Sequence, residues 1–309
     1  MRNEKAPLPA GERLGEGKTM NALSNMKSLT ALILFILLSG LLFAVSADAK
    51  MGTPKVTLTP KKGGPGDLLL ITVKNTGGPV EGTFAGKKLY FNPSKNSYQA
   101  VLGIDLFTEP GKYSLVITGK GAKLQRTVKV SKKDYPVQRL TLPKDMVVLS
   151  PENEARVEQE QKKVAALWPV DSIRIWSGGF IDPLPGKELG TPFGVRRIIN
   201  DIPKNPHSGV DITADEGEPV HAPNDGVVVL VDDQFYSGKS VILDHGQGIY
   251  TMFFHLSKID VQHGQAVMKG DVIAEVGSTG RSTGAHLHWG VRVQGARVDP
   301  LALIRMKLE

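Results

Sequence analysis

Between Lys55 and Val130, apolar residues recur at alternate positions in short segments bounded by turn-forming residues. The segments are Lys55–Thr59, Leu68–Lys74, Val80–Phe84, Tyr98–Ile104, Tyr113–Thr118 and Gln125–Val130. They are punctuated by Gly63-Gly64-Pro65-Gly66, Gly77-Gly78-Pro79 and Pro110-Gly111. A two-residue period sends successive side chains to opposite faces, so these segments bury an apolar face only as strands of a sheet packed on another layer. The pattern predicts a small antiparallel sandwich of immunoglobulin-like type over residues 50–135.

A connector and linker helix follow, over residues 136–170. Ser150-Pro151-Glu152 supplies an N-cap, a proline at the first helical position and an acid in the first turn, opening a helix that Pro169 must end. The spacing predicts helix over about 151–168. Beyond it Pro, Gly and β-branched residues return, and Thr191 to Pro300 reads as a second all-β unit in a domain drawn at 171–309. With 309 residues, 34 Gly and 20 Pro, the chain is expected to be mainly β and to hold two domains.

Residues 1–49 are read as an address rather than as part of this fold. Met26-Lys27-Ser28 precedes the uncharged run Leu29 to Val45, and Ser46-Ala47-Asp48-Ala49 then places small residues where an export signal is cleaved. Residues 1–25 are polar and patternless, a doubtful extension, because Met20 and Met26 both offer more conventional starts. The chain is expected to be exported to the periplasm or cell envelope. It would touch a membrane only if the apolar run were an uncleaved anchor.

The net charge of +7 raises nucleic acid as a partner until it is divided. Residues 50–150 hold 17 Lys or Arg against 6 Asp or Glu, whereas residues 151–309 hold 16 against 21. The basic character therefore belongs to the sandwich and suits a polyanion such as an acidic polymer, or merely guards strand edges. No nucleic-acid role is expected. Zero Cys excludes disulfides and thiolate metal sites, so a transition metal must rest on His, Asp or Glu.

All seven His lie between His207 and His288. In His207-Ser208-Gly209-Val210-Asp211-Ile212, a strand would project His207 and Asp211 together while Val210 and Ile212 enter the core. That arrangement suits one shared ion, or a plain His–Asp hydrogen bond. In His286-Leu287-His288-Trp289 two imidazoles again share a face, opposite Leu287 and Trp289. His207, Asp211 and one of His286 and His288 make an N/N/O set of the kind that leaves a fourth tetrahedral position open in catalytic zinc sites. His255, at the end of the apolar run Thr251 to Phe254, and the remaining imidazole are then available for proton transfer and oxyanion stabilisation.

His207-x-Gly209-x-Asp211, His255-Leu256-Ser257 and Gly277-Ser278-Thr279-Gly280-Arg281-Ser282-Thr283-Gly284-x-His286-Leu287-His288 resemble the lysostaphin-type (LytM-like) zinc metallopeptidases of bacterial cell walls. Gly190-Thr191-Pro192-Phe193-Gly194-x-Arg196 is similar to that pattern too, and the likeness covers roughly Leu189 to Leu301. The resemblance implies an antiparallel β metallopeptidase domain with its site in a groove on one sheet face. It implies one zinc ion on His207, Asp211 and His288, with His255 and His286 as the catalytic pair. It further implies hydrolysis of peptide bonds in peptidoglycan stems or crosslinks. Phe253-Phe254 stands before His255 where the pattern often has Tyr.

Arg281, Ser282 and Thr283, on a glycine-flanked loop before the His pair, are candidates for the groove wall, as is His245. His221 and His263 read as turn or strand residues. The chain is expected to be a monomer. One rival reading is a non-catalytic LytM-like activator of a cell-wall amidase, but such relatives have lost ligands and none is missing here. Another is a sugar-phosphotransferase phosphocarrier, which the export signal disfavours.

Overall fold

The computed structural model describes residues 53–120, 122–141 and 148–308; the expected leader lies outside the described residues. The described residues belong to one compact unit. Eight strands open it: β1 (Lys55–Thr59), β2 (Leu68–Lys74), β3 (Val80–Phe84), β4 (Lys87–Leu89), β5 (Asn92–Ser94), β6 (Ser97–Gly103), β7 (Gly111–Gly119) and β8 (Ala122–Val130). They form two antiparallel sheets in the orders β1-β2-β6-β5 and β4-β3-β7-β8. Leu69, Ile71, Val73 and Leu102 of one share a core with Phe84, Leu115, Ile117 and Val128 of the other. All six alternating segments became strands. The three-residue strands β4 and β5 were not legible, being too short to show a period.

β9 (Val137–Leu140) follows, and it pairs in parallel with a strand of the second half, β11, given below. Helix α1 then runs from Pro151 to Ala165. The Ser150 hydroxyl accepts from Asn153 N at 3.2 Å, Glu152 and Glu154 occupy the first turn, and Lys162 and Lys163 the last, which matches the helix dipole. The helix stops three residues short of the expected end because Leu167 and Trp168 are used elsewhere. Tyr250 Oη donates to Leu167 O at 2.9 Å, and the Trp168 ring packs edge-on to Tyr250.

The second half contributes β10 (Glu188–Leu189), β11 (Arg196–Ile199), β12 (Ile202–Pro203), β13 (Gly209–Thr213), β14 (Pro219–His221), β15 (Gly226–Gln234) and β16 (Gly238–Asp244). These are followed by β17 (Ile249–Leu256), β18 (Lys258–Ile259), β19 (Ala266–Val267), β20 (Val272–Glu275), β21 (His286–Val293), β22 (Ala296–Val298) and helix α2 (Pro300–Arg305). The main sheet has the order β10-β13-β21-β17-β16-β15-β19, with β22 also on β21, and its neighbours pair antiparallel.

Alternation splits this sheet cleanly. Val210, Ile212, Phe253, Leu287 and Trp289 enter the large core on one face. Asp211, His286 and His288, displaced by one residue, lie on the other, where Tyr250 and Met252 are covered by Val164, Leu167 and Trp168 of the linker segment. The groove face of the sheet is thus roofed at one end by α1 and its following turn.

The sandwich is not a loose appendage. Its Leu68, Val101 and Leu106 belong to the same buried cluster as Phe193 and Trp289. The Asp105 carboxylate accepts from Arg297 N at 2.8 Å and pairs with its guanidinium at 3.2 Å. The sandwich keeps a core of its own between its two sheets, while Leu68, Val101 and Leu106 on its outside are buried in the larger core of the second half. All three Trp lie outside the sandwich, at 168, 176 and 289, so their fluorescence reports only the remainder. Leu106→Ala should nonetheless lower the urea midpoint read from Trp fluorescence, costing about 2–4 kcal/mol. An unchanged fluorescence midpoint with a separate circular-dichroism transition would refute this coupling of the two halves.

Candidate metal centre and active site

The site is built by strand register. Antiparallel pairing of β13 with β21 sets Asp211 opposite His288 and Thr213 opposite His286, and pairing of β21 with β17 sets Phe254 opposite His288. Directly paired residues share a face, so the carboxylate, imidazole and benzyl ring form one row. Phe254 stacks on the His288 ring at 5.5 Å with an interplanar angle of 7°. His207, just before β13, enters from the loop: it lies in the extended turn whose backbone runs beside Val195, with His207 N donating to Val195 O at 2.9 Å.

Three donor atoms converge. His207 Nε2 lies 2.9 Å from Asp211 Oδ1 and 2.9 Å from His288 Nδ1, and His288 Nδ1 lies 2.9 Å from the same Oδ1. His207 Nδ1 donates to Pro192 O at 2.9 Å, which leaves Nε2 of the neutral ring with its lone pair. Three atoms able to accept thus share at most the single proton of His288, a donor set suited to a cation rather than to a self-satisfied hydrogen-bond network. All three fall within 4.8 Å of one another, and no other such group of His, Cys, Asp or Glu occurs among the described residues. Burial opposes ionisation of Asp211, but its contacts with the His207 and His288 rings outweigh it and hold the carboxyl well below the usual range. Burial pushes His288 down to about 4, keeping its ring neutral and available as a ligand. Gly209 admits the His288 ring: a Cβ there would meet His288 Nε2 at 2.6 Å.

His255 and His286 stand beside this cluster, their ring centroids 4.8 Å apart, and His255 is 6.1 Å from the His288 ring. His286 Nε2 is 3.8 Å from Asp211 Oδ1. Each is oriented by a loop carbonyl: His255 Nδ1 donates to Thr279 O and His286 Nδ1 to Gly284 O, both at 2.9 Å. Both rings therefore present Nε2 for proton transfer. Burial lowers the His255 pKa, so its Nε2 is an unprotonated base at neutral pH.

Strict alternation would have sent His255 into the core, one residue after the groove-facing Phe254. Between β17 and β16, however, Leu256 pairs with Lys239 and Phe253 with Val241, so Phe254 and His255 together oppose Ser240 alone. This bulge, with His255 at φ +64°, re-aims the ring towards His286.

Of the other candidates, Arg281 is exposed and stacks its guanidinium 4.3 Å from the Tyr236 ring centroid, while Ser282 Oγ lies 3.3 Å from His286 Nδ1. Thr283 is exposed on the same loop. His245 does not line the groove. It is fully buried against Phe180, donating Nδ1–H to Asp225 O at 2.7 Å and accepting at Nε2 from Thr251 Oγ1 at 2.8 Å. As expected, His221 is a strand residue, bonded to Gly270 O, and His263 sits in a turn. Sequence reasoning missed Arg197, whose guanidinium is 3.8 Å from Asp211 Oδ2 and whose Nε is buried without a partner. Only its neighbour Arg196 had been part of a motif.

Fold and site together define a mainly β protein with a His/Asp/His cluster able to hold a metal, flanked by the oriented rings of His255 and His286. Residues 205–300 match the profile of peptidase family M23. The crystal structure of a Pseudomonas aeruginosa protein assigned to peptidase M23 is 34% identical, with a TM-score of 0.64, and the alignment covers 79% of this chain and 95% of that one. The chain belongs to peptidase family M23. Among curated proteins, the DD-carboxypeptidase/endopeptidase Mpg of Neisseria meningitidis serogroup B is 39% identical over 127 residues, 41% of this chain and 29% of that protein. The peptidoglycan DD-endopeptidase ShyA of Vibrio cholerae is 43% identical over 96 residues, 31% of this chain and 22% of that one. The chain thus spans less than a third of the length of these two relatives.

His245 makes the pH dependence of stability testable away from the metal centre. Burial pushes its pKa down to about 4. Above an unfolded pKa of about 6.5 both states are neutral; as pH falls towards 4 only the unfolded chain takes the proton, and stability drops. In excess chelator, His245→Gln should reduce the fall in unfolding free energy between those pH values by about 2–4 kcal/mol relative to wild type. Parallel pH profiles for the two proteins would refute a neutral buried His245.

Proposed function

We propose that this protein is an exported, zinc-dependent endopeptidase that hydrolyses peptide bonds in peptidoglycan stem peptides or crosslinks. The observation that carries the reading is the convergence of His207 Nε2, Asp211 Oδ1 and His288 Nδ1 beside the oriented rings of His255 and His286. An all-His/Asp donor set of three, with no thiolate, suits zinc in a hydrolytic rather than a structural role. The peptidoglycan substrate is supported by the name of the relative ShyA, endopeptidase activity by the names of ShyA and Mpg, and export by the leader pattern.

Zinc held there supplies Lewis-acid polarisation of the scissile carbonyl and acidifies water. The protein's own groups do the rest. His255, neutral and with Nδ1–H tied to Thr279 O, takes the proton of the attacking water at Nε2 and passes it to the leaving amine. His286, its Nδ1–H tied to Gly284 O, stands beside His255 and, carrying a second proton on Nε2, donates it in a hydrogen bond to the oxyanion. Arg281 and Ser282, at the rim, contact the flanking peptide. The basic sandwich holds the enzyme on its carboxylate-rich polymer.

Mass spectrometry of muropeptides released from purified sacculi tests this. Wild type should release new peptide ends, and chelator should abolish them. His207→Ala and Asp211→Ala should lose both the metal, measured by elemental analysis, and hydrolysis. His255→Ala should retain metal yet turn over at least about 100-fold more slowly. Absence of chelator-sensitive products would move the reading to a non-catalytic amidase activator, and full activity of His255→Ala would remove its role as base.

A further inference from the structure

We propose that Glu160, on the linker helix and 95 residues before His255 in the chain, is a positioning residue for that histidine. The inference rests on the catalytic role of His255 given above. His255 needs external support, because φ +64° is a backbone conformation that a non-glycine residue adopts only when its surroundings impose it. Two carbonyls impose it. His255 N donates to Ser237 O at 2.8 Å, and its Nδ1 donates to Thr279 O at 2.9 Å.

These two carbonyls sit on loops that grip each other. Phe235-Tyr236-Ser237 is the turn between β15 and β16; Thr279 to Arg281 follow β20. Arg281 N donates to Tyr236 O at 3.0 Å, and its guanidinium stacks on the Tyr236 ring. Thr279 Oγ1 accepts from Lys239 N at 2.9 Å and donates to Leu256 O at 2.7 Å. Gly238, at φ +60°, packs so closely on the Thr279 backbone that a Cβ would not fit between them. The turn and the loop therefore move together or not at all, and His255 moves with them.

Helix α1 anchors the outer end of this clasp. The Glu160 carboxylate accepts from Phe235 N with both oxygens, at 3.1 and 3.0 Å. It is itself held by Arg156 Nε at 2.7 Å, and Arg156 also donates to Asp233 O at 2.8 Å. Although Glu160 is on a helix that faces solvent along most of its length, its side chain is only 17% exposed. A carboxylate accepting a backbone N–H is a charge-assisted bond and is directional, unlike a mobile surface ion pair. The path from helix to base is continuous: Glu160, the Phe235 amide, the Ser237 carbonyl, the His255 amide.

Glu160→Ala, Glu160→Gln and Val157→Ala in the full-length, metal-loaded protein test it. Val157 is the buried residue of the helix and its side chain has no polar atom to join the hydrogen-bonded path, so its truncation loosens the helix without removing a link of that path. Glu160→Ala should lower kcat about 10- to 100-fold with KM within about twofold, since a displaced base affects the chemical step rather than substrate binding. Metal content should not change. In amide hydrogen exchange, His255 N–H should exchange at least about tenfold faster while Phe253 N–H stays at the wild-type rate. Glu160→Gln, whose amide oxygen still accepts from Phe235 N, should restore both readouts to within about threefold, and Val157→Ala should leave both unaltered. Wild-type exchange at His255 in Glu160→Ala overturns the inference, as does an equal loss of kcat in Val157→Ala. If His255→Ala proves fully active, the functional reading fails separately, and the exchange measurement still decides whether Glu160 holds His255.

Discussion

The pairing of β13 with β21 is the constraint on which the rest of the molecule depends. With Asp211 opposite His288, one sheet face carries Val210, Ile212, Leu287 and Trp289 into the core and the other carries the polar cluster. A slip of one residue would drive the carboxylate and imidazoles into the apolar side and expose a tryptophan that is fully buried. Hydrophobic burial and metal-site assembly are therefore the same event. The large apolar residues between the ligands set the register to which the ligands owe their position.

A second regularity orients the rings. His207, His255 and His286 each direct Nδ1 at a backbone carbonyl, belonging to Pro192, Thr279 and Gly284. His288 is the exception, because its Nδ1 faces Asp211 and His207. A carbonyl can only accept, so it determines the tautomer of its partner and leaves the opposite nitrogen for metal or proton. The carbonyls come from two loops, one before β11 and one between β20 and β21, both rich in glycine or proline and closely bonded to their surroundings. Their geometry serves the imidazoles rather than the sheet.

The sandwich and the linker helix act on this centre through packing rather than through chemistry of their own. Leu68, Val101 and Leu106 extend the core beneath the sheet, and Val164, Leu167 and Trp168 cover part of the groove face. β9 pairs with β11, the strand carrying Arg197, so the connector is attached to the loop region that reaches Asp211. The His-bearing half is thus supported by packing against the basic half.

Much of this was legible in the chain itself, for a definite reason. Alternation with period two, turn residues and the crowding of all His into one stretch are local properties, and they were enough to place the strands of the sandwich, the start of the linker helix and the His207/Asp211/His286/His288 face. The family likeness then separated His288 from His286, and it is His288 whose Nδ1 lies 2.9 Å from Asp211 Oδ1. What the chain did not show were contacts made across long separations. His245 read as a groove residue because its turn resembles a site loop, but Phe180 and Thr251 close over it. Arg197 and Glu160 carried no local sign of their roles. Period alone assigns His255 to the core, and only the bulge opposite Ser240, held by carbonyls from two other loops, turns it to the groove. Sequence by itself determined which residues could form the centre, because side-chain direction along a strand is a local matter. Tertiary structure decided which of them do, because a bulge and a left-handed backbone persist only where distant parts of the chain hold them.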